Sequence, residues 1–266
     1  MSLEYFLANP PLIELSDLKK WIIKEDDNLL VIDKPGWIVC HPSKQGPLSS
    51  LVGACREYTG IDTLHLVNRL DRETSGVVIL AKNKTWARRC QMAFEQRRVI
   101  KTYYAILNGE MTETQTINKQ LARDGSSEVY IKQVVRRSRT SQKAMTTFIP
   151  LVAESGYTLV KIIPITGRKH QIRAHAQWIS HYIIGDKIYG PDENLYLEFI
   201  EKGWTRHLEY NLPHYRQALH AAQLTIQGSG YEINFWAPFP QDLVNFCEKK
   251  MGVTISELQD FGDLPS

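Results

Sequence analysis

Apolar residues are unevenly spaced along this chain, and the spacing changes character at recognisable points. Up to about Lys20 no period repeats and Pro10-Pro11 intervenes, so this stretch reads as a short irregular extension. From Asn28 the pattern sharpens. "NLLVIDKPGW" is an apolar strand stopped by Asp33-Lys34-Pro35-Gly36, a strong turn signal. "SSLVGACREYTG" begins with serine and ends with glycine, as a short capped helix does. Residues 64–67 and 77–81 are short runs of β-forming residues. "NKTWARRCQMAFEQRRV" is the clearest helix. Trp86, Cys90 and Ala93-Phe94 recur at helical spacing, and Asn83 stands where an N-cap belongs.

The second half alternates more often. "IKTYYAILNGE" reads as a strand closing in an Asn-Gly turn, and "VYIKQVV" as another strand. "AMTTFIPLV" and "YTLVKIIPI" form a hairpin across "AESG". "TGRKHQIRAHAQWIS" switches to the helical period, with Ile172, Ala176 and Ile179 as its buried stripe. Residues 190–216 look irregular. "ALHAAQLTIQ" and "YEINFWAP" form a hairpin across Gly228-Ser229-Gly230, and "FPQDLVNFCEKKMG" is a closing helix. Strands outnumber helices and hairpins outnumber βαβ units. The expected class is α+β, with a mixed, largely antiparallel central sheet flanked by helices.

Composition adds limits. The chain has 266 residues, 43% hydrophobic and 23% charged, enough for one large globular domain, alone or with a small appendage. The four cysteines form no CxxC pair, so neither a disulfide framework nor a zinc site is suggested. No secretory signal and no apolar run long enough to cross a bilayer stand out, so the expectation is a cytoplasmic protein without membrane contact. A net charge of +3 says little by itself. Its distribution says more: Arg88, Arg89, Arg97, Arg98 and Lys101 fall together, as do Arg136, Arg137, Arg139 and Lys143. Each cluster alone is better read as a solvated face.

Chemistry concentrates in a few stretches. "VNRLDRETSGVVILAKN" places Arg69, Asp71, Arg72 and Glu73 between two apolar runs. A lone loop aspartate more often caps a turn or pairs on the surface. Here flanking strands hold the loop, and loops on rigid scaffolds carry chemistry disproportionately often. "TGRKHQIRAH" packs Arg168, Lys169, His170, Arg173 and His175 at a helix start, more charge than a helix start needs, and the plainer reading is a helix end with a solvated basic face. His170 and His175 are five apart with no acidic residue between, a poor metal pair. In "IKTYYAILNG" the residues Lys101, Tyr103 and Ala105 share one strand face, which is equally compatible with a core tyrosine.

Taken in order, "NRLDRETSGVVILAK", "IKTYYA", "KAMTTF", "TGRKHQIRAHAQWISHYIIGDKIYG" and "ALHAAQL" resemble the motifs of the RluA-like pseudouridine synthases, and "LLVIDKPGWIVCHP" resembles the opening of that catalytic domain. The resemblance runs from about Leu29 to Pro240. It implies the pseudouridine synthase fold and an isomerase that turns uridine into pseudouridine in ribosomal or transfer RNA, without cofactor or metal. It also implies roles. Asp71 matches the catalytic aspartate, Tyr103 the active-site tyrosine, and Arg173 the arginine that pairs with the aspartate. Arg69 and Arg72 match the basic residues beside that aspartate, and with them Asn68, Lys101, Arg168, Lys169 and His170 are taken as substrate-binding candidates. Leu219 or Leu224 supplies an apolar contact, with Leu219 taken first. Asn68 departs from the family's usual histidine. The expected organisation is an extension over 1–24 without the S4 domain of many relatives, a catalytic domain over 25–250 and a tail over 251–266. A monomer is expected.

Two rival classes are weaker. An RNA-binding protein with a decayed site would lack Asp71, Tyr103 or Arg173, and all three are present. A hydrolase or phosphotransferase with an aspartyl nucleophile would want a metal-binding acidic cluster, and Glu73 alone does not make one.

Overall fold

The computed structural model describes residues 11–41, 46–228 and 230–254. The first ten residues of the expected extension, Ser229 of the expected hairpin turn and most of the expected tail lie outside them. The chain divides into two units, one of residues 1–101 and 221–238, the other of 102–220 and 239–266.

In the first unit, α1 (Leu15–Lys20) and β1 (Ile22–Glu25) lie where an irregular extension was expected. Six helical residues followed closely by four extended ones give neither period room to repeat. Leu18, fully buried, anchors α1. β1 pairs antiparallel with β2 (Leu29–Lys34). α2 (Leu51–Thr59) starts at Ser50, whose hydroxyl accepts the Gly53 N–H, and stops at the left-handed Gly60, as its caps predicted. β3 shrinks to His65–Leu66 and pairs with the end of β4 (Ser75–Ala81). All seven residues of β4 are buried, which is why that segment reads as an unbroken apolar run. α3 (Lys84–Glu95) is capped by Asn83, whose side chain accepts the Trp86 N–H. Its Cys90 and Ala93 pack in one core with Leu29, Val31, Val77 and Ile79.

In the second unit, β5 (Val99–Asn108) pairs with β10 (Tyr157–Pro164), β10 with β9 (Met145–Glu154) and β9 with β6 (Gln115–Asn118), all antiparallel. The β9–β10 turn is Ser155-Gly156, both at positive φ, as a two-residue hairpin turn requires. β7 (Leu121–Arg123) and β8 (Gln133–Val135) make a separate two-stranded ladder. The strand expected over 129–135 is thus only its last three residues. α4 covers Gln171–Trp178. The stretch expected to be irregular contains α5 (Asn194–Lys202) and α6 (Arg206–Asn211). Leu195 and Phe199, one turn apart, are buried on α5, and Thr205 caps α6 by accepting the Leu208 N–H. The surrounding aromatic and charged residues hid that stripe.

β11 (Leu219–Gln227) pairs antiparallel with β12 (Glu232–Trp236), the expected hairpin. α7 (Gln241–Phe246) is the closing helix and widens into one π turn over Cys247–Met251. The class is α+β with a largely antiparallel sheet flanked by helices, as expected.

Candidate active site

Asp71 sits in the loop between β3 and β4, half-buried. The segment just after β2 underlies this loop. Lys34 is completely buried, and its ammonium donates to the carbonyls of Pro35 at 2.8 Å, Ile38 at 2.9 Å and Arg72 at 3.2 Å. An ammonium has three donors, so this buried charge is fully satisfied. The thiol of Cys40 donates to the carbonyl of Leu70 at 3.5 Å. The residues immediately before and after Asp71 are therefore both tied by their carbonyls to residues 34–40. Asp71 itself closes the turn, its carbonyl accepting the Thr74 N–H at 3.1 Å. Arg72 is half-buried, with its guanidinium 5.4 Å over the ring of Trp37. Trp37 holds φ at 76°, a left-handed backbone that bulky residues avoid.

After the loop, the chain enters β4 through Gly76. Its φ is 115°, and a Cβ there would lie 2.2 Å from the Ala221 carbonyl oxygen. Only glycine fits this approach.

Four sequence-predicted residues, Asn68, Arg69, Asp71 and Arg72, share this one loop. Arg69 is exposed, and its charge, after burial, helps push the ring of His41 below the usual histidine pKa. Asn68 turns its amide inward onto β4, donating to the Val77 carbonyl and accepting the Ile79 N–H, each at 2.9 Å. Lys101, also in the first unit, is pushed down to about 8 by burial.

In the second unit Arg173 is buried on α4. Its Nε donates to Asp186 Oδ2 at 2.6 Å and its Nη2 to Oδ1 at 2.8 Å. Oδ1 also accepts the N–H groups of Ile188 and Tyr189, each at 3.0 Å. Burial alone would raise the Asp186 pKa; the Arg173 charge and hydrogen bonds, with the two amides, hold it below the usual carboxylate range. The resemblance implied Asp71 as the aspartate paired with Arg173; Asp186, which holds the guanidinium through these two bonds, was not named. A lone aspartate in the apolar run "YIIGDKIYG" was the available signal, since a buried charge needs a partner.

Tyr103 is half-buried on β5, paired across the ladder with Ile162. Arg168 and Lys169 are exposed. His170 was expected to face substrate, but it is buried. Its backbone is left-handed and its ring shares a 3.0 Å hydrogen bond with Tyr189, whose hydroxyl also accepts the Gln133 N–H. The α4 helix starts only at Gln171, so "TGRK" forms a turn before it, braced by the Gln171 side chain accepting from Thr166 and from the Arg168 N–H. Leu219 is buried in the second unit, whereas Leu224 belongs to the apolar core of the first with Val77 and Phe235. Of the basic clusters, Arg88, Arg89, Arg97, Arg136, Arg137, Arg139 and Lys143 are exposed. Arg98 instead donates to the Gln227 carbonyl at 2.7 Å. Among the described residues, no three His, Cys, Asp or Glu side chains gather as a metal site would need.

A family model described as RNA pseudouridylate synthase matches residues 28–178. The ribosomal large subunit pseudouridine synthase D of Vibrio vulnificus is 31% identical over 252 residues, covering 89% of this chain and 75% of that protein. An uncharacterized RNA pseudouridine synthase of Chlorobaculum parvum is 34% identical over 256 residues, covering 90% and 77%. Among solved structures, the human protein RNA pseudouridylate synthase domain containing 4 superposes with a TM-score of 0.68 at 28% identity, over 88% of this chain and 94% of that one.

Proposed function

We propose, from the premise that this chain belongs to the RNA pseudouridylate synthase family and is an isomerase, that it converts uridine to pseudouridine in large-subunit ribosomal RNA through the carboxylate of Asp71. The observation that carries this reading is the suspension of the Asp71 loop, with both flanking carbonyls tied to residues 34–40. Backbone held on both sides limits how far Asp71 can move, and a reaction at a sugar carbon needs such restraint. The names of the ribosomal relatives favour ribosomal over transfer RNA.

The reaction is an internal exchange. The bond from N1 of uracil to C1′ breaks, the base turns, and C5 bonds to C1′. The C5 proton leaves and N1 gains one, so nothing is oxidised or reduced. Ionised Asp71 serves either as a nucleophile at C1′ or as a base at C2′. The detached base is an anion, which exposed Arg69 on the same loop is suited to hold. Tyr103 is assigned to stack on the base and Arg173 to supply fixed positive charge. Both assignments rest on their places in the motifs. The uridine is flipped out of its helix at a cost of about a few kcal/mol. Phosphate contacts from the exposed arginines Arg88, Arg89, Arg136, Arg137 and Arg139 offset it.

The catalytic domain is taken to run from about residue 25 to 250, acting as a monomer in the cytoplasm. Among the described residues no helix is long and apolar enough to cross a membrane. The test uses unmodified large-subunit ribosomal RNA and a transfer RNA pool, each transcribed with uridine tritiated at C5. Tritium release from the ribosomal transcript at discrete sites is expected. Release from transfer RNA alone would move the substrate, and release from neither would remove the reading.

A further inference from the structure

The Asp71 loop leaves the sheet in an unusual way. β3 and β4 run antiparallel with His65 opposite Ala81 and Leu66 opposite Leu80. Continuing this register puts residue 67 opposite Ile79, and the Val67 N–H does bond the Ile79 carbonyl at 2.9 Å. In a continued ladder, the Ile79 N–H would then go to the carbonyl of residue 67, and the Val77 carbonyl to the N–H of residue 69. Neither happens. The Ile79 N–H goes to Oδ1 of Asn68, and Nδ2 of Asn68 donates to the Val77 carbonyl, both at 2.9 Å. One side-chain amide takes the place of two backbone groups, and the backbone is released to form the loop three residues before Asp71.

We propose that Asn68 is a positioning residue for Asp71. Its amide completes the β4 ladder, so that the chain can turn away at a fixed point without leaving β4 groups unsatisfied. The proposal rests on the reading of Asp71 as the catalytic carboxylate. It differs from a role in RNA contact, because the amide oxygen and one amide proton are committed to the sheet. Few side chains can do this. The job needs a donor and an acceptor side by side on a short stem, and asparagine carries both without titrating. Aspartate keeps the acceptor but sets a charge against the Val77 carbonyl, and alanine offers neither group. With the ladder open at Ile79 and Val77, the loop loses its anchor on the β4 side, and Asp71 gains freedom along its approach to the sugar.

The test compares the full-length wild type with Asn68→Ala and Asn68→Asp on the C5-tritiated ribosomal transcript. Three quantities are read: the single-turnover release rate at saturating enzyme, the dissociation constant for the RNA, and hydrogen exchange in a peptide containing Ile79. Displacing a reacting group by about an ångström can cost on the order of a hundredfold, so both variants should lose roughly ten- to hundredfold in rate. Their RNA affinity should stay within about twofold, because the change falls on the chemical step. Exchange at Ile79 should accelerate in Asn68→Ala. If that variant does not fold, Asn68→Asp carries the test alone. An unchanged rate in a folded variant overturns the proposal. So does an intact saturating rate with affinity weakened in proportion, since that is the behaviour of an RNA contact. A wild type that releases no tritium removes the reading of Asp71 instead.

Discussion

Arg173 grips Asp186 through two parallel hydrogen bonds, Nε to Oδ2 at 2.6 Å and Nη2 to Oδ1 at 2.8 Å, with both side chains buried. The two backbone amides on Oδ1 complete the carboxylate's shell, and the face of Tyr189 lies 5.0 Å from the guanidinium. The pair fixes the plane of the arginine. A planar fork of this kind cannot be reproduced by a lysine, whose ammonium is a point donor.

Removing Asp186 takes from the buried guanidinium the carboxylate that grips it through two hydrogen bonds. Asp186→Ala is expected to destabilise the protein by about 3–5 kcal/mol. Arg173→Lys keeps the charge and loses the fork. It should therefore lower single-turnover isomerisation strongly while changing RNA affinity little. Denaturant melts of the first variant and quench kinetics of the second check these outcomes. A rate for Arg173→Lys within a few-fold of wild type would count against a catalytic assignment for Arg173.

Lys34→Met should damage both the fold and the loop. It leaves three carbonyls without their common donor, of which the buried one of Ile38 costs about 1–3 kcal/mol if left unsatisfied and the part-buried ones of Pro35 and Arg72 less. The Arg72 carbonyl is one of the three, so the surviving folded enzyme should also turn over more slowly. Melting temperature and tritium release measured on the same preparation separate the two losses. A variant as stable and as fast as wild type would show that Lys34 does not hold the loop.

Gly76→Ala tests the entry to β4. A methyl group there meets the Ala221 carbonyl at 2.2 Å with φ at 115°, so the backbone must shift. The expected cost is about 1–3 kcal/mol from the strained backbone alone, with the clash added. A denaturation midpoint equal to wild type would contradict this account of the turn.

His214 predicts a pH dependence. It is buried, its Nδ1 donates to the Arg216 carbonyl at 2.9 Å, and its Nε2 has no hydrogen-bond partner. Burial, aided by the Arg216 charge and opposed by Asp242, pushes its pKa down to about 4. Between that value and the ordinary value near 6.5, the unfolded chain binds a proton that the folded one does not. The contribution is therefore complete above about pH 6.5 and is lost as pH falls toward 4, at up to about 1.4 kcal/mol per unit. His214→Phe removes that proton from the balance. The slope of unfolding free energy against pH in this window should flatten by about one proton, and an unchanged slope would place the titration elsewhere.

The parts of this molecule that declare themselves locally were legible in the sequence. Ser50 and Asn83 cap the helices they precede, and the Ser155-Gly156 turn joins the expected hairpin. Asp71 stood out because charge between two buried runs is conspicuous. What stayed hidden is either short or long-range. α1, β1, α5 and α6 repeat too few times, among aromatic and charged neighbours, to show a period. Lys34 meets the Arg72 carbonyl 38 residues away and Cys40 meets Leu70, and nothing in the local pattern of either partner marks the other, while the aspartate in "YIIGDKIYG" signals the need for a partner without naming Arg173. His170 shows what a basic stretch does not reveal: its ring is buried and shares a hydrogen bond with Tyr189, a partner 19 residues away.

The central claim is that the carboxylate of Asp71 performs the isomerisation. Asp71→Asn keeps the side chain's shape and removes its charge, nucleophilicity and basicity. The decisive measurement is single-turnover tritium release from C5-labelled large-subunit ribosomal RNA by wild type and Asp71→Asn, with RNA binding measured in parallel. The account predicts release by wild type, none above background by the variant, and dissociation constants that agree within a few-fold. Release by Asp71→Asn at the wild-type rate would contradict it.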